Sequence, residues 1–136
     1  MPSVEERYLP PDILSKAVRS GEEYGWQFDD LPAALAQART AGLAVLGGQV
    51  QFKLPDGICE LYWQNADSAP QQAGEPWDTY VERSHREVRA GLDRLPSAEA
   101  LVNEGLARFA FLKQRAVAGV DLGRFLCFVC YFEAQE

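Results

Sequence analysis

Three cysteines are the residues of this sequence best suited to chemistry, because a thiolate can bind a metal ion or attack an electrophile. Cys127 and Cys130 have the Cys-x-x-Cys spacing found in zinc and redox sites, and no second pair of this kind exists. They lie in the apolar run 125–132, which predicts a strand, and residues three apart on a strand point to opposite faces. We therefore expect Cys59, Cys127 and Cys130 to be small buried hydrophobic residues that bind no metal.

The single histidine gives no better case for catalysis. His85 follows Ser84 within a predicted helix, where neighbouring side chains diverge by about 100° and cannot form a nucleophile–base pair. We expect His85 to lie at the surface or at its boundary with the core. Twenty acidic residues allow many carboxylate pairs, but their spacing selects none, and the segment 46–49 lacks the lysine of a phosphate loop. The sequence thus predicts no catalytic residue, no metal site, no cofactor and no enzymatic activity.

Composition limits the possible partners. The 136 residues carry 13 basic and 20 acidic side chains, a formal net charge of −7, which disfavours direct binding to nucleic acid. The same charge suits a basic protein partner, although solubility alone also explains it. No stretch approaches the roughly 18 apolar residues of a membrane span, and the acidic, proline-containing N-terminus is unlike a signal peptide. With the odd number of cysteines, these features predict a cytoplasmic protein that binds no membrane.

The hydrophobic pattern predicts one domain, residues 1–136, with elements in the order α-α-β-β-α-α-β. Residues 1–11 are polar and contain prolines, so we expect a flexible arm. Helices are predicted over 12–20, from Asp29 or Asp30 to Gly42, over 76–95, and over 97–117. Residues 24–28 place three aromatic side chains in a short connection between the first two helices.

Strands are predicted over 43–54, 58–65 and 125–133. The turn Pro55-Asp56-Gly57 joins the first two into a hairpin, and Gly47-Gly48 indicates a bulge or a close backbone approach. The predicted fold class is therefore α+β, a three-stranded, mostly antiparallel sheet formed by the hairpin and the C-terminal strand, with helices packed on one face.

Alternation along the hairpin places polar residues on the expected open face of the sheet. An exposed tyrosine among polar groups is typical of a recognition surface. The same alternation is found in any sheet with one open face, so ordinary surface is the competing interpretation. The candidate partner-binding residues are Gln49, Gln51, Glu60, Tyr62, Gln64, Asn65 and Asp67.

Residues 24–88 resemble a small family of bacterial polymorphic-toxin immunity proteins. The resemblance covers about half of the chain. It lies in Tyr24-Gly25-Trp26, in Leu-Gly-Gly-Gln-Val-Gln-Phe at 46–52, in Leu-Pro-Asp-Gly at 54–57, in Cys-Glu-Leu-Tyr-Trp at 59–63, and in Trp-Asp-Thr-Tyr-Val at 77–81 with Ser84 and Glu87-Val88.

The resemblance implies an α+β protein encoded beside a secreted toxin, which it binds and blocks in the cytosol. It assigns no contact residues. We expect the strand containing Gly-Gly-Gln-Val-Gln and the strand from Glu60 to Trp63 to be the shared features. Two other hypotheses remain open. One is a non-catalytic regulatory or scaffold domain that binds another partner or forms a homodimer through a sheet edge. The other is a small enzyme that uses acidic residues.

Overall fold

The computed structural model describes residues 2–136. Five strands and six helices follow one another along this part of the chain, with a short 3-10 turn before the last strand. They are α1 (Val4–Tyr8), α2 (Pro11–Leu14), β1 (Val18–Ser20), β2 (Glu23–Trp26), α3 (Leu31–Thr40), β3 (Ala44–Leu54), β4 (Gly57–Asp67), α4 (Trp77–Asp93), α5 (Ala98–Arg108), α6 (Ala110–Val117), the turn Leu122–Phe125 and β5 (Leu126–Glu133). Among these helices none has the length and apolar character needed to cross a membrane.

The strands form one antiparallel sheet in the order β1-β2-β5-β3-β4. The α+β class, the hairpin and the C-terminal strand are confirmed, but the prediction of three strands is wrong. The two additional strands come from segments predicted as a helix, 12–20, and as a connection, 24–28. Gly21, with φ of +59°, closes the β1–β2 turn, and Tyr24 and Trp26 alternate with Gly25 as a strand requires.

Trp26 anchors the β1–β2 hairpin to the rest of the protein. Its ring is fully buried in the main core, and its indole N–H donates to the carbonyl oxygen of Ile13 at 3.1 Å. That bond satisfies the one polar atom of a large buried side chain and joins β2 to the end of α2.

The segment 1–11, expected to be a flexible arm, contains α1 in its described part, residues 2–11. Ser3 accepts a hydrogen bond from the Glu6 backbone while the Glu6 carboxylate binds the Ser3 backbone, which makes a capping box. Leu9 is buried, and the Ser3 hydroxyl lies 3.1 Å from the Tyr24 hydroxyl. These contacts attach the segment to the sheet.

The helix predicted over 97–117 is divided at Phe109. Phe109 has extended backbone angles, φ −122° and ψ 113°, and serves both as the end of α5 and as the start of α6. Its ring stacks on Trp63 of β4 at 6.4 Å between centroids. A contact with a strand more than forty residues earlier therefore accompanies the break.

Helical side chains and one face of the sheet form the main hydrophobic core. On β3, Val50, Phe52 and Leu54 point into this core. The helices contribute Leu35, Val88, Leu101 and Leu112 among others. The opposite side of the sheet, which we call the polar face, carries Gln49, Gln51 and Lys53 of β3, Glu60 and Tyr62 of β4, and Cys127, Val129 and Tyr131 of β5.

Candidate functional site: a glycine-floored cleft on the polar face

An irregularity in β4 turns Tyr62 outward. Gln49 pairs with Asn65 and the next residue, Val50, pairs with Leu61, so β4 has three additional residues, 62–64, at this point. A bulge of this kind redirects side chains and increases the local twist. Tyr62 is 66% exposed and meets the Trp63 ring edge-on at 5.0 Å between centroids.

Glu104 of α5 holds the bulge in place. Its carboxylate accepts hydrogen bonds from the Trp63 indole and, at 3.0 Å, from the Gln64 amide. The Asn65 amide donates to the Tyr62 carbonyl oxygen at 2.9 Å. These hydrogen bonds hold the backbone of the bulge and the Trp63 ring on which Tyr62 packs.

Two glycines bring the β3 backbone against its neighbours. A side chain on Gly48 would overlap the carbonyl oxygen of Val129 in β5, and one on Gly47 would overlap Asp67 in β4. Gly47 also has φ of +133°, a conformation that side chains oppose. The close backbone approach predicted for Gly47-Gly48 is confirmed. Both glycines also line a cleft on the polar face.

This cleft has a volume of about 320 Å³. It is lined by Leu46, Gly47, Gly48, Gln49, Tyr62, Asn65, Asp67 and Tyr131. The described chain has six large hydrophobic side chains that are exposed, and three of them, Leu46, Tyr62 and Tyr131, line this one cleft. We call it the glycine cleft. Such a concentration of exposed apolar and aromatic surface is typical of a binding site.

The charge around the glycine cleft is negative. Asp67 is its one ionisable carboxylate, and no lysine or arginine lines it. The Tyr131 hydroxyl donates to Glu23 at 2.5 Å, and burial together with this hydrogen bond raises the pKa of Tyr131. Glu60 lies beside the cleft and accepts from the Gln49 and Gln51 amides at 3.4 and 3.3 Å. A cationic group would therefore be favoured in this cleft.

The seven predicted partner-binding residues do not all lie in the glycine cleft. Gln49, Tyr62, Asn65 and Asp67 line the glycine cleft, and the exposed Glu60 flanks it. Gln64 is held by Glu104 at the side of the bulge.

The expectation that Gln51 lies exposed is wrong, because its side chain is fully buried. Gln51 occupies the middle of β3, between Glu60 of β4 and Cys127 of β5, and the next polar-face residue, Lys53, is buried too. In a central strand such as β3, side chains of the strands on either side cover a residue even on a face without helices. The prediction from alternation along one strand did not take these neighbours into account. The Oε1 atom of Gln51 makes no hydrogen bond in the described structure.

Sequence reasoning missed Leu46 and Tyr131 as members of the site. Tyr131 belongs to the predicted C-terminal strand, and the alternation of Cys127, Val129 and Tyr131 with Phe128, Cys130 and Phe132 was a signal for its face. The position of β5 between β2 and β3 brings Tyr131 to Gly47. The sequence prediction gave no strand order, so it could not place Tyr131 beside Gly47.

The side chains best suited to catalysis do not converge. All three cysteines are buried, as predicted, and burial raises the pKa of Cys59, of Cys127 to about 12, and of Cys130. Cys130 packs in the main core while Cys127 is on the polar face. His85 is half-buried at the core boundary, as predicted. Its Nε2 lies 2.9 Å from the Leu43 carbonyl oxygen, and burial lowers its pKa. Within residues 2–136, no three metal-binding side chains lie together.

Comparison with known proteins adds no relative. No protein-family model matches the sequence. No curated protein matches it either. No solved structure resembles the fold closely enough to count as a match.

Proposed function

We propose that this chain is a non-enzymatic immunity protein that binds a cognate toxin domain in the cytoplasm through the glycine cleft. The observation that carries the proposal is the grouping of Leu46, Tyr62 and Tyr131, all exposed, around a cleft that Gly47 and Gly48 also line. A few aromatic anchors near the centre of an interface supply most of its binding energy.

The rigidity of the cleft supports a binding role. Tyr62 rests on Trp63, which Glu104 and the Phe109 ring hold in place. A side chain that is already oriented loses less conformational entropy when a partner binds. Tight inhibition requires affinity and no turnover, so this arrangement suits a protein that blocks another.

Charge supports a basic partner. The chain has a formal net charge of −7, and Asp67, Glu60 and Glu23 lie in or beside the cleft. An acidic surface accelerates encounter with a basic protein. A lysine or arginine side chain of the toxin would meet two tyrosine rings and the Asp67 carboxylate in the glycine cleft.

The test is co-purification with the product of the gene immediately upstream, expressed as its C-terminal domain. We expect a stable complex, and we expect this chain to rescue growth of cells that express that domain. A complex without rescue would favour the regulatory or scaffold hypothesis. If no complex forms and growth is not rescued, the proposal is wrong.

A matched pair of variants tests the cleft itself. Tyr62→Ala should abolish rescue. Tyr8→Ala, which removes an exposed tyrosine on α1, far from the cleft in sequence, should preserve it. Full rescue by Tyr62→Ala would place the interface elsewhere. The oligomeric state of the free protein should be measured as well. β4 is an edge strand, and a homodimer formed through it would cover the bulge.

A further inference from the structure

A second cavity lies at the other end of β3 from the glycine cleft. It has a volume of about 520 Å³ and is lined by β1, by the β3–β4 hairpin, and by Arg124 and Phe125 before β5. β1 and β4 are the two edge strands, so the sheet curves until its edges approach one another here. Six residues of β3 separate Gly47 from Lys53, which places the two cavities about 20 Å apart.

Lys53 gives this cavity an ammonium group that makes no hydrogen bond. The Lys53 side chain is only 4% exposed, and its nearest carboxylate oxygen, on Glu23, is 3.6 Å from Nζ, beyond hydrogen-bond length. The other oxygen of that carboxylate is held by Tyr131. An ammonium group has three donors, and leaving them unpaired is unfavourable. Lys53 is ion-paired with Glu23, but its three donors make no hydrogen bond, so an added anion can accept from them without displacing one.

The rest of the lining reinforces this positive charge. Arg124 is exposed at the cavity, and no carboxylate lies within 4 Å of it in residues 2–136. The guanidinium of Arg19, which also lines the cavity, is occupied by Glu6 at 3.4 Å and by the Tyr24 ring. No acidic residue lines the cavity. In a chain of net charge −7, this is a local reversal of sign.

Apolar side chains complete the lining. Val18, Ile58 and Phe125 face the same space, and Ile58 is 45% exposed in the free chain. Small-molecule sites combine such apolar walls with a few polar groups that orient the ligand, and a volume of this size is usual for them. The lining thus offers one charged end and one apolar wall.

We propose that this cavity binds a small amphipathic organic anion. Its carboxylate or phosphate group is held by Lys53 and Arg124, and its apolar body packs on Val18, Ile58 and Phe125. The cavity shares no lining residue with the glycine cleft, although the Glu23 carboxylate contacts both Lys53 and Tyr131. The proposal does not depend on the proposed toxin binding.

Titration of the protein with sodium octanoate, followed by methyl NMR, tests the proposal. We expect the methyl signals of Val18, Leu54 and Ile58 to shift saturably, with a dissociation constant below about 1 mM. Octylammonium, with the same chain and the opposite charge, should not shift them. Acetate, which has the anionic group and almost no apolar body, should bind at least about tenfold more weakly. Inorganic phosphate has charge but no apolar body. Phosphate binding as tight as octanoate binding would indicate a site for free anions and would contradict an amphipathic ligand.

Variants connect the signal to the two cations. Arg124→Gln and Lys53→Met should each weaken octanoate binding about tenfold, since each removes one charged donor. Arg86→Gln, an exposed arginine on α4 outside this cavity, is the matched control and should leave binding unchanged. Because Arg124 is exposed, its variant will fold even if Lys53→Met does not. No saturable shift, equal binding of octylammonium, or an unchanged affinity in Arg124→Gln would overturn the proposal.

Discussion

Single side chains connect the exposed surface of this protein to its interior. Glu60 is exposed, yet its carboxylate accepts the hydrogen bond of the buried Gln51 amide at 3.3 Å. Replacing Glu60 would leave that buried amide without an acceptor, which costs about 1–3 kcal/mol. In a variant at Glu60, a loss of partner binding could therefore not be distinguished from a loss of stability. Tyr62 has no such inward bond and is the cleaner probe of the surface.

Tyr62→Ala should leave the free energy of unfolding within about 0.5 kcal/mol of the parent, because Tyr62 is exposed. Its partner affinity should fall by about 2 kcal/mol or more, as for an aromatic anchor. The neighbouring Leu61 is fully buried, and Leu61→Ala should cost about 2–5 kcal/mol of stability. Urea denaturation and calorimetric titration separate the two effects. A Tyr62→Ala protein as unstable as Leu61→Ala would contradict this assignment of faces.

The faces of individual residues were largely predictable. Period-two alternation placed Leu61 and Cys59 inside and Tyr62 and Glu60 outside, and all four lie there. The alternation failed for Gln51, because the exposure of a central-strand residue depends on its neighbours in other strands and on sheet curvature. The local sequence specifies neither the neighbouring strands nor the curvature of the sheet.

Among the elements, the connection between β4 and α4 shows how side chains organise a loop. Arg83 of α4 binds Glu75 through two bonds of 2.7 and 2.8 Å, binds Glu87 at 2.8 Å, and donates to the carbonyl oxygens of Ala69 and Pro70. Its planar guanidinium satisfies several acceptors at once, which a lysine could not. The connection lies between the predicted strand 58–65 and the predicted helix 76–95, but its attachment to α4 was not predictable from composition.

The Arg83–Glu75 pair makes stability depend on pH. Hydrogen bonds from Arg83 lower the pKa of Glu75 from near 4.5 to about 2. A lowered pKa in the folded state means that Glu75 contributes stability above its unfolded pKa and loses it as the pH falls towards 2. The difference in unfolding free energy between the parent and Glu75→Gln should be constant above about pH 5 and shrink between pH 4.5 and 2.

The control for this titration is Glu22→Gln, an exposed glutamate with no ion pair in residues 2–136. Its difference from the parent should stay small throughout. Urea denaturation at a series of pH values gives both curves. A difference for Glu75→Gln that does not vary with pH would show that the pair contributes nothing measurable to stability.

Elements were predictable where their own sequence specifies them. Caps and turn residues placed α3, α4 and the β3–β4 hairpin close to their observed bounds. β1 has three residues, too few to show a period, and it exists because β2 pairs with it. The stretch 97–117 is rich in alanine, leucine and other residues that favour helix, and its break at Phe109 accompanies a contact with Trp63. Short strands and tertiary breaks are the features that local pattern does not specify.

At the scale of the molecule, charge is unevenly distributed. The glycine cleft is acidic, whereas the cavity at Lys53 and Arg124 is lined by cations, about 20 Å away along β3. The proposed basic partner would therefore be drawn to one end of the polar face and repelled from the other. Complementary charge across an interface chiefly sets the association rate and the orientation of approach.

This arrangement predicts a strong effect of salt on complex formation. The association rate constant with the toxin domain should fall at least about tenfold between roughly 20 and 300 mM NaCl, while the dissociation rate changes little. Surface plasmon resonance measures both rates. Asp67→Asn, which removes the charge from the glycine cleft and keeps the shape, should reduce the salt dependence. An association rate that is insensitive to salt would contradict electrostatic attraction of a basic partner.

The close contact of Gly48 with the β5 backbone has a consequence for how far this sequence can diverge. Any side chain at position 48 would overlap the Val129 carbonyl oxygen, so β3 and β5 could not pair as they do. Exposed residues such as Tyr62 can be replaced without loss of the fold, while position 48 cannot change without disrupting the pairing of β3 with β5. In distant relatives whose recognition residues have all been replaced, a glycine at this point of an 11-residue strand is the landmark from which an alignment should begin.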